Sequence, residues 1–200
     1  MDKSYRKKTA LIMLTMSLFM YAPILMHLIG YRIPMFENLG LTMDTLAPWY
    51  AWIFVLFVTV SYVAYTFKVI PLVYKMQREL SLFKLVGILS VVGGILEEVV
   101  FRRWLMDFLM GLEYGFAIQI IISGIAFGLA HIMWGLFGKE KKFLKGAFIS
   151  TTFLGFALAL VYLISNRNIV PCIVAHSLIN IVIEPWLLLC AISKSWNTNK

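Results

Sequence analysis

Six long apolar stretches separated by short polar segments dominate this 200-residue sequence. They cover residues 10–30, 48–70, 85–110, 115–137, 143–165 and 169–192. Each is close to the ~20 residues that an α-helix needs to cross the ~30 Å hydrocarbon core of a bilayer. Apolar residues make up 61% of the chain and charged residues only 14%, whereas a soluble domain carries about 25% charged residues. The sequence therefore predicts an all-α, polytopic membrane bundle of about six helices, folded as a single domain over residues 1–200.

The basic residues predict how these helices are oriented. If the chain crosses the membrane six times, both termini and every second connecting segment lie on the same side. These segments contain fourteen of the eighteen basic residues, namely Lys3, Arg6, Lys7, Lys8, Lys68, Lys75, Arg78, Lys84, Lys139, Lys141, Lys142, Lys145, Lys194 and Lys200. The other side has Arg32 and Arg167. Because cytoplasmic loops are enriched in Lys and Arg, we predict a multi-pass protein of the cell membrane with both termini in the cytoplasm. The net charge of +8 follows from these loops, and no nucleic-acid partner is predicted.

The third stretch carries five charged side chains. Inserting an ionisable group into a membrane span costs roughly 2.5–3.5 kcal/mol, so each one indicates a partner or a function. A spacing of four residues pairs Glu98 with Arg102 on a helix. The same spacing pairs Arg103 with Asp107, and both pairs are interpreted as structural. Glu97 has no such neighbour, which makes it a candidate general base or acid; the alternative is a pairing with an arginine or histidine of another helix.

Polar side chains also lie inside the fourth and sixth stretches. His131 follows Gly124 and Gly128, and small residues allow a neighbouring helix to approach closely. His176 and Asn180 share one helix face, which Cys172 and Glu184 continue. Each group alone can serve as a hydrogen bond between helices. Together with Glu97 they predict one shared intramembrane polar site, while His27, in the first stretch, is interpreted as a packing residue.

Three short motifs on successive helices resemble those of a known family. They are Glu97-Glu98-x-x-x-Arg102, Phe127-x-x-x-His131 and His176-x-x-x-Asn180. In this order the motifs resemble the CAAX-protease and bacteriocin-processing family of intramembrane endopeptidases. The resemblance implies an all-helical catalytic core at about 83–192, around a water-filled cavity open to the cytoplasmic side. It also implies that Glu97 and His131 activate water and that His176 and Asn180 stabilise the oxyanion, with Glu98, Arg102 and Phe127 in support.

The residue chemistry agrees with these roles but leaves other mechanisms open. Peptide hydrolysis needs a base for water, an acid for the leaving amine and donors for the oxyanion. No cofactor is predicted, although zinc held by Glu97, His131 and His176 is the second interpretation. The amide of Asn180 argues against it, because an amide is a poor zinc ligand and a good hydrogen-bond donor. A cysteine mechanism at Cys172 ranks third.

Serine hydrolysis is not favoured. The candidate serines, Ser123, Ser150 and Ser177, lack the strand-turn-helix setting of a nucleophile elbow. The sequence thus favours a glutamate-dependent intramembrane endopeptidase that cuts a small membrane-associated or secreted peptide or protein, and whether the substrate is lipidated stays open. A non-catalytic immunity or scaffold protein of the same fold is the alternative. Besides the substrate and the lipid bilayer, a membrane partner protein that completes the site is a possible partner.

Ideal helices separate the four site residues along the membrane normal. Counted from the middle of each apolar stretch, Glu97, His131, His176 and Asn180 spread over roughly 13 Å at 1.5 Å per residue. We therefore predict tilt, offset or local unwinding, with Gly93-Gly94 and Pro171 as the places for it.

Overall fold

The computed structural model describes residues 2–30, 47–90, 93–138 and 141–195. Within these ranges the side chains of residues 19, 20, 23–28, 30, 90, 93, 133–138 and 141–143 are not described. The interpretation of His27 and the positions of Arg32 and Lys139 therefore lie outside the described residues. The described chain contains helices and turns and no strand, so the all-α fold is confirmed.

The helices follow the predicted stretches closely at five of the six places. In chain order they are α1 (Lys3–Gly30), α2 (Trp49–Val69), α3 (Pro71–Met76), α4 (Leu82–Ser90), α5 (Gly93–Glu98), a π-helical turn (Val99–Trp104), α6 (Leu105–Gly111), α7 (Phe116–Gly138), α8 (Lys141–Ile164) and α9 (Val170–Ser193). Pro71 begins the short helix α3 because proline fits the first helical position, where no intrahelical N–H bond is required.

The third stretch is the exception, because its helix changes winding. Helix α4 is described up to Ser90, and α5, the π-helical turn and α6 follow one another without a gap from Gly93 to Gly111. Gly93 and Gly94 begin α5, at residues with a low intrinsic helix propensity. In the π-helical turn the wider winding displaces backbone groups from their usual partners, and the Phe101 carbonyl accepts a hydrogen bond from Ser123 Oγ at 3.0 Å. Gly93 and Gly94 are helical themselves, and the described departure from α-helical winding begins at Val99.

Three of the described helices are long and apolar enough to cross a membrane. They are Trp49–Val69, Leu144–Ile164 and Val170–Ser193, and the apolar helix Phe116–Ile132 is shorter. A multi-pass helical membrane protein follows from these segments. Six crossings are not confirmed, because three helices meet the length and apolarity of a membrane span among the described residues.

Helix α9 forms the centre of the bundle. It contacts α1, α2, α3, α4, α5, α7 and α8, and half of it is buried. Its first turn contains Pro171, and the αL residue Lys194 (φ 54°) follows its last turn. The most buried of the three membrane-length helices thus carries His176, Asn180 and Glu184 into the middle of the protein.

Glycines bring α7 and α8 together in the most extensive helix pair. A Cβ atom placed on Gly155 would lie 2.8 Å from the Gly124 Cα atom. A Cβ atom on Gly128 would overlap the Thr152 hydroxyl and lie 3.1 Å from the Phe148 carbonyl oxygen. The close approach predicted at Gly124 and Gly128 is therefore present.

Ionic contacts anchor both ends of the bundle. Near the amino terminus the Arg6 guanidinium binds both carboxylate oxygens of Glu79, one of them at 2.7 Å, and this contact lowers the pKa of Glu79. At the opposite end Asp107 accepts hydrogen bonds from Arg103 at 3.0 Å and from Arg167 at 2.6 Å. The predicted pairing of Arg103 with Asp107 is present as part of this larger network.

Candidate active site

Glu98 and Arg102 form a fully buried ion pair at the start of the π-helical turn. The Arg102 Nε atom lies 3.1 Å from Glu98 Oε2. A second guanidinium nitrogen, Nη2, donates to the Gly155 carbonyl at 3.3 Å, and the guanidinium carbon lies 4.5 Å from the centre of the Phe127 ring. Because a buried charge requires compensation, these contacts fix the position of Arg102 between α5, α7 and α8.

Glu98 also contacts His176, which sequence reasoning did not predict. Its Oε1 atom lies 2.7 Å from the Nδ1 atom of His176. An Nδ1–H that donates to a carboxylate fixes both the tautomer and the ring orientation. The other ring nitrogen, Nε2, then faces Glu97, at 3.8 Å from its Oε2 atom.

His131 approaches Glu97 from the opposite helix. Its Nε2 atom lies 3.6 Å from Glu97 Oε2, and its Nδ1 atom lies 2.8 Å from the Phe127 carbonyl oxygen, to which an Nδ1–H donates. The Phe127 ring packs against both imidazoles, with centroids 4.3 Å from His131 and 5.5 Å from His176. Glu97 Oε2 is buried and has no hydrogen-bond partner among the described residues. It is therefore a carboxylate oxygen between two imidazole nitrogens.

Gly94 allows α5 to lie directly against the polar face of α9. A Cβ atom on Gly94 would be 3.4 Å from Asn180 Nδ2 and 3.5 Å from His176 Nδ1. This close approach brings the backbone of the glutamate helix beside the carboxamide. A larger side chain than a methyl group would occupy the space of His176 and Asn180.

A cavity of about 660 Å³ extends from this cluster. Its lining includes Glu97, His131, His176 and Asn180, together with side chains from the carboxyl half of α2, the amino half of α8 and the carboxyl half of α9. These halves lie toward one end of the bundle, where Val69, Gly146 and Ala191 line the cavity. By the charge argument above, this is the predicted cytoplasmic end.

The structure thus brings the four predicted catalytic residues to one cavity, and the three supporting residues, Glu98, Arg102 and Phe127, lie directly behind them. Both histidines lie within 3.8 Å of Glu97, so the axial spread expected of ideal upright helices does not separate these three residues. Sequence reasoning missed the other polar lining residues, which are Tyr62, Tyr65, Thr66, Ser150 and Thr151. They lie in apolar stretches that have no acidic side chain or histidine in them, so nothing in the sequence distinguished them from packing residues. The sequence placed Glu184 on the same helix face as His176 and Asn180 but did not predict that it belongs to the site.

The alternative nucleophiles lie in unsuitable positions. Cys172 is fully buried, and its Sγ atom donates to the Leu158 carbonyl at 3.4 Å. Ser123 is buried against Phe101. Ser150 lines the cavity but donates to a carbonyl of its own helix. Within the described residues no group of three or more His, Cys, Asp and Glu side chains is arranged to hold a metal ion, and the zinc interpretation stays untested.

The fold and this cavity define an all-helical membrane protein with a cluster of ionisable side chains inside the bundle. A family profile described as type II CAAX prenyl endopeptidase Rce1-like matches residues 79–182 of the chain. The protein therefore belongs to this Rce1-like family of membrane proteases, and the resemblance seen in the three motifs is confirmed. Searches of curated proteins and of solved structures found no significant match.

Proposed function

We propose that this protein is an intramembrane endopeptidase that hydrolyses a peptide bond with water activated by Glu97 and His131. Its substrate is a small membrane-associated or secreted peptide or protein. The observation that carries the proposal is the buried Glu97 Oε2 atom, which has no hydrogen-bond partner among the described residues and faces His131 Nε2 at 3.6 Å in the cavity. That separation is slightly longer than a hydrogen bond, as expected for two groups that act on one bound water.

In the first step Glu97 accepts a proton from water while the water oxygen attacks the substrate carbonyl carbon. The new C–O bond forms as the carbonyl π electrons move to the oxygen. The proton then passes to the amide nitrogen, through His131 or directly from Glu97, and the C–N bond breaks to release an amine and a carboxylic acid. A positioned acid–base pair of this kind contributes about 10²–10⁴-fold in rate.

His176 and Asn180 supply the donors for the oxyanion in this proposal. The Asn180 Nδ2 atom carries two N–H bonds, and it lies beside His176 on the same helix face. With Nδ1–H donating to Glu98, His176 needs a second proton on Nε2 to donate to the oxyanion. The Glu98 carboxylate lies 2.7 Å from Nδ1, on the side of the ring away from the cavity.

The decisive experiment replaces Glu97 with glutamine, which keeps the shape and removes the proton acceptor. Glu97→Gln is expected to abolish cleavage of co-expressed candidate peptides, read by mass spectrometry, while expression and thermal stability hold or improve. Glu113→Gln is the matched control, because Glu113 is exposed in the turn between α6 and α7 and the charge change is the same. Asn180→Ala should leave weak turnover, since the loss of one oxyanion donor costs about 10²–10³ in rate.

A Glu97→Gln protein that still processes its substrate would contradict the proposal. If no peptide is cut by the wild type, yet Glu97→Gln still confers the cellular phenotype, the site binds without cutting. The non-catalytic immunity or scaffold function would then replace the protease.

A further inference from the structure

Glu184 is a carboxylate of the cavity that the proposed reaction does not use. It lines the cavity on α9, one helical turn beyond Asn180. It lies close enough to Glu97 and His176 to interact with both electrostatically. Glu184 makes no hydrogen bond or salt bridge with any residue that the structure describes.

An ionisable side chain inside a membrane span is costly and is by default expected to have a partner. The cation that balances Glu98 is Arg102, and that of Asp107 comes from Arg103 and Arg167. No lysine or arginine is present among the described residues that line the cavity around Glu184. The basic side chains of the lining, His131 and His176, already face Glu97 and Glu98, so a cation that pairs with Glu184 itself would come from the molecule that fills the cavity.

The surroundings of Glu184 suit a peptide side chain that ends in a cationic group. The same cavity contains hydroxyl groups from α2 and α8, namely those of Tyr62, Tyr65, Thr66, Ser150 and Thr151. Apolar side chains such as Ile183 and Leu187 lie next to them. A lysine or arginine has an apolar stem and a polar head that donates several hydrogen bonds, so its two parts match these two kinds of lining.

We propose that the cavity binds a lysine or arginine side chain of the peptide substrate through Glu184. This inference rests on the proposed protease function and assigns a specificity determinant to its site. Glu184 lies about 6 Å along α9 from Asn180 and about 12 Å from His176, at 1.5 Å per residue. An extended peptide advances about 3.3 Å per residue. The cationic residue therefore lies about two to four residues from the scissile bond.

The proposed preference for a cationic side chain applies to the part of the peptide substrate that lies inside the cavity. It does not apply to the parts of the peptide that extend beyond the mouth. Lys68 and Lys145 adjoin the lining residues Val69 and Gly146 at the mouth. Basic residues therefore adjoin the mouth in sequence, while two carboxylates, those of Glu97 and Glu184, line the interior. A substrate with its positive charge near the scissile bond and negative charge outside would match both regions.

Binding and cleavage are tested separately. Binding is measured in the Glu97→Gln background by fluorescence anisotropy in phosphatidylcholine nanodiscs, whose neutral surface removes lipid attraction for basic peptides. The probes are peptides without any other charged side chain that differ at one scanned position, which carries lysine, norleucine or glutamate. We expect the lysine peptide to bind roughly tenfold more tightly than the norleucine peptide, as for a hydrogen bond between charged groups.

Adding Glu184→Gln should remove that preference, and adding Glu184→Lys should transfer it to the glutamate peptide. Glu113→Gln, with the same change of charge outside the cavity, should keep it. Equal binding of the three peptides, or a lysine preference that survives Glu184→Gln, would overturn the inference. Cleavage of the same peptides by the wild-type protein is measured independently. If the lysine peptide is preferred in binding but no peptide is cleaved, the result contradicts the protease function and still supports the cationic subsite.

Discussion

His176 connects the two glutamates through different ring nitrogens. Its Nδ1 atom is 2.7 Å from Glu98, which is fully buried and paired with Arg102. Its Nε2 atom is 3.8 Å from Glu97, which faces the cavity. Adjacent residues in one sequence motif therefore have opposite surroundings: one carboxylate is fixed by an arginine and a histidine, and the other is available to a water molecule. This difference supports a structural role for Glu98 and a chemical role for Glu97.

The first residue-scale prediction concerns the buried pair. Glu98→Gln should lower the folded yield and thermal stability strongly, because removing one partner of a buried ion pair typically costs about 3–5 kcal/mol. Arg103→Gln is the matched control, since its pair with Asp107 is partly exposed, and such pairs contribute about 0–1 kcal/mol. Thermal unfolding in detergent measures both variants. If the Glu98→Gln protein is inactive yet as stable as the wild type, Glu98 is the catalytic glutamate and Glu97 the structural one, which contradicts the proposed roles.

The second residue-scale prediction concerns metal dependence. Because Asn180 provides an amide where a zinc site would use a stronger ligand, purified protein should keep its peptidase activity in EDTA or phenanthroline. The measurement is the cleavage rate before and after chelation, with zinc added back. Loss of activity that zinc restores would establish Glu97, His131 and His176 as metal ligands.

At the scale of elements, the site depends on two local departures from an ideal bundle. The π-helical turn after Glu98 leaves the Phe101 carbonyl to Ser123 of α7, so a hydrogen bond joins the helix of Glu97 to the helix of His131. The glycines of α7 and α8 bring these helices close enough for the Gly155 carbonyl to accept from Arg102. Backbone contacts thus hold the supporting residues at the distances that the cluster requires.

The prediction at this scale tests the glycine contact. Gly155→Ala should destabilise the protein by roughly 1–3 kcal/mol, because its methyl group would overlap the Gly124 backbone and separate the helices. Gly146→Ala in the same helix is the control, since a Cβ atom there meets nothing within 4 Å, and alanine has the higher helix propensity. The measurement is the unfolding temperature of each variant relative to the wild type. If Gly155→Ala is as stable as Gly146→Ala, α7 and α8 tolerate a larger separation and the prediction is wrong.

At the scale of the whole molecule, charge distinguishes the two ends of the bundle. The Arg6 to Glu79 contact joins α1 to the segment before α4 at one end, and the Asp107 network joins α6, α8 and the following turn at the other. The cavity reaches the first end, where most basic residues lie. A substrate that enters at this end would come from the side that the positive-inside rule predicts to be cytoplasmic.

The corresponding prediction is topological. Single cysteines introduced near Asn38 and at Glu113 should react with a membrane-impermeant thiol reagent in intact cells, and cysteines at Arg78 and Lys141 should react only after permeabilisation. The native Cys172 and Cys190 are both buried and free, so they provide a low background. Labelling of Arg78→Cys and Lys141→Cys in intact cells would reverse the orientation and contradict the six-helix arrangement.

Local chemistry determined much of this protein from the sequence alone. Apolar stretches of membrane-spanning length predict the helices and their approximate ends, because a bilayer requires about 20 residues per crossing. Four-residue spacing predicts the Glu98–Arg102 pair and the shared face of His176 and Asn180, because such residues are neighbours on any helix. The order of the motifs was sufficient to identify the family.

Only the tertiary structure decided which helices contact one another and at what axial offset. The contact of His176 with Glu98, the position of Glu97 between two imidazoles and the hydroxyls around Glu184 all join residues that are distant in sequence. Helical periodicity defines the face of a side chain but not the tilt or offset of its helix. The π-helical turn in the third stretch was likewise beyond a periodicity argument, since its Phe101 carbonyl accepts a hydrogen bond from Ser123 of α7. These features follow from packing around α9, which the sequence of any one helix does not contain.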